Sequence, residues 1–419
     1  MKTKLLNLFS FLLVLAGCRT YTPYPIDWEQ ERAAWTGQSA APLHLTISEA
    51  QQLALLLNPE INALRARHLA SSNAVLQTGW WEDPELDIEA LRIMKSVPQP
   101  WIAASSLAFT IPINGVPALE RKAAEAYAFA DACAIIVAER ELMAEVAHAW
   151  NNLEHAIECH RLLLHHLAAF VREDGTVKQL IAAGELDAAE GARLQLDISR
   201  MGGDLRRMES EAEAQRLALV QLMGLHSSVS VEFIATEDTF PPPDPTSTED
   251  TLIRHPRVQE KLARLGGAEA DLRTEIRRQY PNLKIGPALG NEDGETRAGL
   301  TFGMTLPLWN RNRQAIAVAE GARQQARIEA VNEWKRLVGE LENAKRTLRL
   351  AEENERQCKE MEDIAQQSFR DIGELNRSGE ADIVTYFEAI QTCVATGLDW
   401  IEAQQALREA EINIGKFAE

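Results

Sequence analysis

Apolar and polar residues alternate in four short segments of the chain, and long stretches with helical composition separate them. The alternating segments cover about residues 85–94, 101–111, 282–289 and 296–306. Each has one apolar and one polar side, which is typical of a β-strand with one wet face. Two stretches rich in Ala, Glu, Arg and Leu, about 117–181 and 313–378, have no internal proline. They predict helices of roughly 100 Å, far longer than those of ordinary globular domains.

Each long stretch ends in a Gly-Glu reversal and continues into a second helical segment. The residues that define the two reversals are Gly184, Glu185, Asp187, Gly379, Glu380 and Asp382. Glycine ends a helix well because it adopts the left-handed conformation without a Cβ clash, and the aspartate can cap the next helix. The chain therefore carries two predicted helical hairpins, about 117–223 and 313–416.

The hairpins belong to an internal repeat. Asn58-Pro59 returns as His255-Pro256 at an offset of 197 residues, and the Gly-Glu reversals return at an offset of 195. A helix of about 48–80, starting near Ser48 and interrupted at Asn58-Pro59, precedes the first strand pair. The predicted organisation is a leader 1–17, an extended segment 18–45, repeat 1 over 46–240, a Pro-rich linker 241–245, and repeat 2 over 246–419.

The N-terminus carries a targeting signal. A basic start and an apolar run too short to span a bilayer lead to Leu15-Ala16-Gly17-Cys18. This ending resembles the lipobox of bacterial lipoproteins, in which the leader is cut before an acylated cysteine. The resemblance implies a mature chain that begins at Cys18, and Arg19 in place of aspartate implies sorting to the outer membrane. An ordinary signal peptide with a chance cysteine is the alternative.

Composition narrows the function classes. A formal net charge of −19 over 419 residues argues against nucleic acid as a partner and is compatible with a conduit for cations. The sequence has no Gly-x-Ser-x-Gly, P-loop or His-Glu-x-x-His motif. We therefore predict no catalytic residues and no enzyme activity. The later cysteines, which form no Cys-x-x-Cys pair, are predicted to be single buried thiols: Cys133, Cys159, Cys358 and Cys393.

The number of strands has a consequence for assembly. Open sheet edges cannot face lipid, and bacterial outer-membrane barrels have at least eight strands. If the four strands lie in a membrane, several chains must share one barrel. Two chains would supply eight strands and three would supply twelve, and only the larger ring leaves room for an open pore.

In these features the chain resembles the TolC-like outer-membrane efflux protein family. The resemblance rests on the Asn58-Pro59 and His255-Pro256 openings, the Pro-x-Leu-x-Ile segments from Pro84 and Pro281, the strand-to-helix junctions, and the two reversals. It implies a mainly α fold with a small membrane β part. It also implies a homotrimer with a shared 12-stranded β-barrel, an α-helical periplasmic tunnel and no prosthetic group. The reversals would form the periplasmic tip that docks a membrane fusion protein, the adaptor of an inner-membrane pump of the resistance-nodulation-division type.

The predicted function is the outer-membrane channel of a tripartite efflux system, lipid-anchored, with a large periplasmic part. The Pro-Leu-x-Asn-Arg-Asn run at 307–312 is similar to the heavy-metal branch that exports cobalt, zinc, cadmium, copper or silver. A lipid-anchored periplasmic coiled-coil adaptor or structural spacer is the alternative. Adaptors usually have one helical hairpin and many soluble strands, whereas this chain has two hairpins and two strand pairs.

Two rows of side chains carry candidate chemistry. Glu85, Asp87 and Glu89 alternate on the first strand and are predicted to face a lumen; the wet face of a soluble sheet is the alternative.

A second row, spaced for one helical stripe, consists of His148, His155, Cys159 and His166. Imidazole and thiolate bind zinc and copper, but tight sites need three or four converging ligands. The same heptad spacing is typical of a coiled-coil seam, which we favour because the second repeat has no matching stripe.

Overall fold

The computed structural model describes residues 21–37, 42–94, 100–234, 249–292 and 295–417. Cys18 and the linker 241–245 lie outside these ranges. The helices are α1 (Trp28–Thr36), α2 (Ile47–Leu57), α3 (Pro59–Gln77), α4 (Val116–Ala183), α5 (Ala188–Leu222), α6 (Pro256–Arg277), α7 (Arg313–Ser378) and α8 (Ile383–Gly415). The strands are β1 (Leu43–Leu45), β2 (Glu85–Arg92), β3 (Trp101–Ile111), β4 (Val231–Phe233), β5 (Leu283–Glu292) and β6 (Glu295–Met304). A short 3-10 helix, Thr251–Arg254, precedes α6.

The two repeats begin in the same way. Asn58 accepts hydrogen bonds from the first turn of α3, and its Nδ2 donates to the carbonyl of Leu222 at 3.1 Å. His255 accepts from the first turn of α6, and its Nε2 lies 3.2 Å from the carbonyl oxygen of Lys416. Each residue therefore caps one helix and contacts the end of the hairpin in its own repeat. Thr46, rather than Ser48, caps α2, because it forms a capping box with Glu49.

The long helices form the predicted pair of hairpins. Helix α4 packs against α3, α5, α6 and α8, and α7 packs against α6 and α8. One apolar cluster surrounds Trp150 beside the short strands, and a second surrounds Phe170 and Phe387 near the reversals. Leu337 belongs to a third cluster, where α7 meets the start of repeat 2. Among the described residues, no helix combines the length and apolar character needed to cross a bilayer.

The strands form two sheets. A four-stranded antiparallel sheet has the order β2-β3-β5-β6, so that β2 and β6 are its edges. A parallel pair of β1 and β4 joins Leu43 to Val231 and Leu45 to Phe233. We did not predict this second sheet, because strands of three residues separated by almost 190 residues leave only a weak local signal.

Candidate functional site

The larger sheet has an apolar face that the described part of the chain leaves uncovered. Register places most large apolar side chains of the four strands on one side, while Leu91 and Ile102 lie on the other. The side chains of the uncovered face have exposed fractions between 43% and 75%, and they are Leu86, Ile88, Trp101, Phe109, Leu289, Leu300, Phe302 and Met304. Monomeric soluble proteins rarely expose so many contiguous apolar side chains. Fully burying one is worth about 1.5–3 kcal/mol, so covering this face is worth on the order of 10 kcal/mol.

Aromatic residues lie at both ends of this sheet. Trp80 and Trp81 precede β2, Trp309 follows β6, and all three are exposed. At the opposite end the guanidinium of Arg92 lies 5.8 Å from the ring of Trp101. The strands have 8 to 11 residues, close to the length that crosses a bilayer at a tilt. Aromatic side chains at both ends of an apolar band are typical of membrane strands, and we did not use this signal in the sequence.

The opposite face of the sheet is polar and carries the predicted acidic row. Glu85, Asp87 and Glu89 are exposed on β2, with small residues beside them on β3. The row is less acidic than predicted, because Lys284 on β5 donates to Glu85 Oε2 at 2.6 Å. Arg297 on β6 lies on the same face. Glu295 on β6 also lies on this face, so its carboxylates outnumber its two cations, Lys284 and Arg297.

The two reversals have the same geometry. Gly184 and Gly379 have φ angles of 76° and 80°, in the left-handed region where a side chain is strained. The N–H of Glu185 donates to the carbonyl of Leu180 at 2.9 Å, and that of Glu380 donates to the carbonyl of Leu375 at 2.9 Å. Each helix thus ends in a closed turn.

The caps that follow differ in strength. Asp382 accepts from the N–H of Thr385 at 2.7 Å, whereas Asp187 accepts from that of Ala189 at 3.4 Å. The hydrogen bonds to Thr385 hold the pKa of Asp382 below its usual value. The predicted tip residues are all exposed, so this end of the molecule presents two similar turns.

Gly191 is a residue of the tip that we did not predict. A Cβ at this position would lie 2.3 Å from Cδ1 of Ile181, so α4 and α5 approach closely only because position 191 is glycine. The equivalent position in repeat 2 is Tyr386, whose ring stacks on Phe369 with centroids 5.9 Å apart. Similar turns are therefore packed differently in the two hairpins.

The histidine stripe does not converge. His148 and His166 lie about 27 Å apart along α4. Nε2 of His148 is 3.2 Å from Asn413 Oδ1, and Nε2 of His155 is 3.5 Å from Sγ of Cys159. His166 lies in the apolar cluster, with its ring 5.7 Å from that of Phe369. Within the described ranges, no group of three or more His, Cys, Asp or Glu side chains is placed to hold a metal ion.

Burial shifts the pKa values of the His166 imidazole and the Cys159 thiol. It lowers the pKa of His166 to about 4, with a smaller contribution from neighbouring His165. Burial also raises the pKa of Cys159 to about 11, so the thiol is protonated near neutral pH. Cys133, Cys159 and Cys393 are buried free thiols, and Cys358 is partly exposed.

Comparison with known proteins gives a match in structure alone. No protein-family model matches the chain, and no curated protein matches its sequence. A membrane protein from Pseudomonas aeruginosa superposes with a TM-score of 0.77 at 15% identity, over 96% of this chain and 99% of that chain. The Campylobacter jejuni CmeC outer membrane channel gives 0.74 at 14%, over 96% and 93%. The open state of the Neisseria gonorrhoeae MtrE outer membrane channel gives 0.72 at 15%, over 88% of each chain.

The chain has the TolC-like outer-membrane channel fold. Both repeats take part in this fold, since the superposition covers nearly the whole chain. The predicted fold class, a mainly α chain with two hairpin-and-strand repeats, is confirmed. In the TolC-like fold the uncovered sheet and the paired reversals lie at opposite ends of the long helices, because α4 and α7 each connect a strand pair to a reversal.

Proposed function

We propose that this protein is the outer-membrane channel of a tripartite efflux system and a passive conduit for cargo supplied by an inner-membrane pump and its adaptor. The observation that carries the proposal is the four-stranded sheet with one uncovered apolar face and two open edges, attached to helical hairpins of roughly 100 Å. Such a sheet is stable in lipid only when its edges are paired, which three copies achieve in a ring of twelve strands. Similar structures of outer membrane channels support the same role.

The reversals at Gly184 and Gly379 form the docking tip for the adaptor in this proposal. Three copies would present six exposed turns at nearly one level, since α4 and α7 have 68 and 66 residues and α5 and α8 have 35 and 33. Heavy-metal cations are the cargo suggested by the sequence resemblance at 307–312. A panel of metal and drug sensitivities on a deletion strain would identify the cargo.

Purified protein in a planar bilayer is expected to conduct ions and to prefer cations. Carboxylates along a pore raise the local concentration of cations. Neutralising Asp87 and Glu89 together (Asp87→Asn, Glu89→Gln) should lower the cation-to-anion permeability ratio several-fold. Glu85→Gln should change it less, because Lys284 already pairs with this carboxylate. Fractionation into a soluble periplasmic pool, with no conductance, would favour the adaptor or spacer instead.

Cys18 is proposed to carry the lipid anchor. Mass spectrometry of the mature N-terminus should show an acylated Cys18, and Cys18→Ser should leave an uncleaved or soluble form. The trimer is expected to assemble despite the substitution, because the barrel itself holds the protein in the membrane. An unmodified cysteine on the wild-type mature chain would contradict the lipobox assignment.

A further inference from the structure

The segment between β6 and α7 holds two residues in a strained backbone conformation. Arg311 and Asn312 have φ angles of 46° and 55°, in the left-handed region that residues other than glycine rarely adopt. Nδ2 of Asn312 donates to the carbonyl oxygen of Glu275 at 2.8 Å and to Oε2 of the same residue at 2.6 Å. Such strain persists only where surrounding contacts fix it. The start of α7 is therefore anchored to the end of α6 in one arrangement.

The same segment carries arginines that no carboxylate neutralises. Arg311 and Arg313 are exposed, and neither has an ion-pair partner among the described residues. Glu275 does not serve as their partner, because Arg278 already donates to its carboxylate. Arg277, the last residue of α6, is also exposed and has no ion-pair partner within the described ranges. In a chain with a net charge of −19, these three arginines form a local positive surface.

This positive surface lies where the apolar sheet face ends and the long helices begin. Leu306 and Leu308 extend the apolar residues of β6 and are 61% and 60% exposed, and Trp309 is 87% exposed. Tryptophan is enriched where the hydrocarbon of a bilayer meets its headgroups, and long cationic side chains beside it reach the headgroup level. Together with the three arginines, Trp309 forms what we call the junction surface.

The corresponding junction in repeat 1 has no charged or aromatic side chain. At the offset of 195 residues, Arg311 and Arg313 correspond to Val116 and Ala118. The left-handed residue of that junction is Gly115, which adopts a φ angle of 73° without strain. A turn from strand to helix therefore requires neither arginine nor tryptophan in this fold. The composition of the second junction calls for a role beyond the turn itself.

We propose that the junction surface binds the phosphate groups of anionic phospholipids in the periplasmic leaflet of the outer membrane. The proposal rests on the channel function proposed above, because it requires the sheet to lie in the membrane. Guanidinium groups suit phosphate oxygens through their planar fork of N–H donors, and Trp309 would lie at the hydrocarbon boundary. An anionic headgroup fits better than a zwitterionic one, since the surface has three cations and the carboxylate of Glu275 is already paired. Arg311 of the 307–312 run thus gains a role that does not depend on metal cargo.

Native mass spectrometry of the detergent-solubilised full-length oligomer tests the site directly. The oligomer is incubated with equal amounts of phosphatidylglycerol and phosphatidylcholine, and the retained lipids are counted. The wild type should retain phosphatidylglycerol in preference. Arg311→Gln with Arg313→Gln should lower this preference about tenfold or more, because a basic residue near an anionic surface contributes roughly fivefold to affinity. Arg311→Lys with Arg313→Lys keeps both charges and should retain most of the preference.

The matched control removes the same charge from α7 at a distance from the membrane. Arg327 and Arg346 are exposed arginines of this helix, and Arg327 lies about 21 Å beyond Arg313. Arg327→Gln with Arg346→Gln should leave the lipid preference unchanged. Equal retention of phosphatidylglycerol by the wild type and the Arg311 and Arg313 glutamine variant overturns the lipid site. An equal loss of preference in the control variant does so too, because it shows that only net charge matters.

Reconstitution separates lipid binding from a contact between copies. The wild-type oligomer should dissociate at a higher temperature on unboiled gels in vesicles of phosphatidylcholine with phosphatidylglycerol than in phosphatidylcholine alone. Arg311→Gln with Arg313→Gln should abolish this gain. An equal loss of stability in both kinds of vesicle would show that the arginines pair with protein carboxylates, such as Glu82 or Asp83 of a second copy, and would refute the lipid site.

Bilayer conductance keeps this proposal distinct from the channel function. A conducting wild-type oligomer without a preference for phosphatidylglycerol refutes the lipid site and leaves the channel intact. Wild-type protein that neither enters vesicles of either composition nor conducts refutes both, since the sheet then does not lie in a membrane.

Discussion

Replacing both Gly184 and Gly379 with valine is expected to abolish export while the protein remains assembled in the outer membrane. Both glycines have φ angles near +80°, where a Cβ costs about 1–2 kcal/mol and a β-branched residue costs more. No neighbouring atom lies within 4 Å of an added Cβ, so the effect acts through the backbone of the turn. Because each copy carries two turns, a trimer would have six distorted docking positions.

Three measurements separate the effects: export of cargo reports function, adaptor pull-down reports docking, and unboiled gel migration reports assembly. The matched control is Gly175→Val with Gly339→Val, one substitution in each long helix. These glycines also have open space around an added Cβ, but their φ angles are not positive. The control variant should export at close to the wild-type rate. Wild-type export and adaptor capture by the Gly184 and Gly379 variant would place the docking site elsewhere.

The main elements of the fold could be predicted because their signals are local. Alternation over ten residues marks strands such as β3, and uninterrupted helical composition marks α4 and α7. The same order of elements occurs in both repeats, so each repeat supports the assignment of elements in the other. The ends of α4 and α7 could also be predicted, because the backbone preference of glycine at positions 184 and 379 is known without tertiary context.

The parts that were missed depend on contacts between distant residues. The pairing of β1 with β4 brings Leu43 next to Val231, and no local pattern specifies such a partner. Lys284 reaches Glu85 only because β3 lies between β2 and β5, so the reduced charge of the acidic row follows from strand order. Gly191 has an ordinary helical backbone, and its role depends on the position of the Ile181 side chain.

The histidine stripe shows how one spacing serves several environments. Spacings of 7, 4 and 7 residues placed His148, His155, Cys159 and His166 along one helix, but they did not predict the partners of these side chains. His148 contacts a polar residue of α8, whereas the ring of His166 lies against those of His165 and Phe369. Sequence spacing sets the helix face, and the packing of the second hairpin sets the chemistry of each ring.

Lowering the pH from 7.5 to 4.5 is expected to destabilise the packing between the two hairpins through His166. This side chain is 5% exposed, and its Nδ1 has no hydrogen-bond partner in the described structure. Burial lowers its pKa from 6.5 to about 4 in the folded protein. Between these values the unfolded chain binds a proton that the folded chain does not, so stability rises with pH. The contribution is fully present above about pH 6.5 and declines toward pH 4, by about 2–3 kcal/mol for each copy.

His166→Leu should remove most of this pH dependence, because leucine suits the apolar cluster and cannot take up a proton. It should also stabilise the protein by about 1 kcal/mol near neutral pH. The reason is that leucine has no polar atom, so folding no longer desolvates a nitrogen that lacks a hydrogen-bond partner. The measurement is the midpoint of thermal unfolding by circular dichroism at pH 7.5 and 4.5, together with hydrogen exchange over residues 160–175. Other groups titrate in the same range, so the informative quantity is the difference between wild type and variant.

His160→Gln, on the same helix but only partly buried, is the matched control and should keep the wild-type pH dependence. Equal losses of stability in the wild type and His166→Leu would show that acid sensitivity arises from other groups.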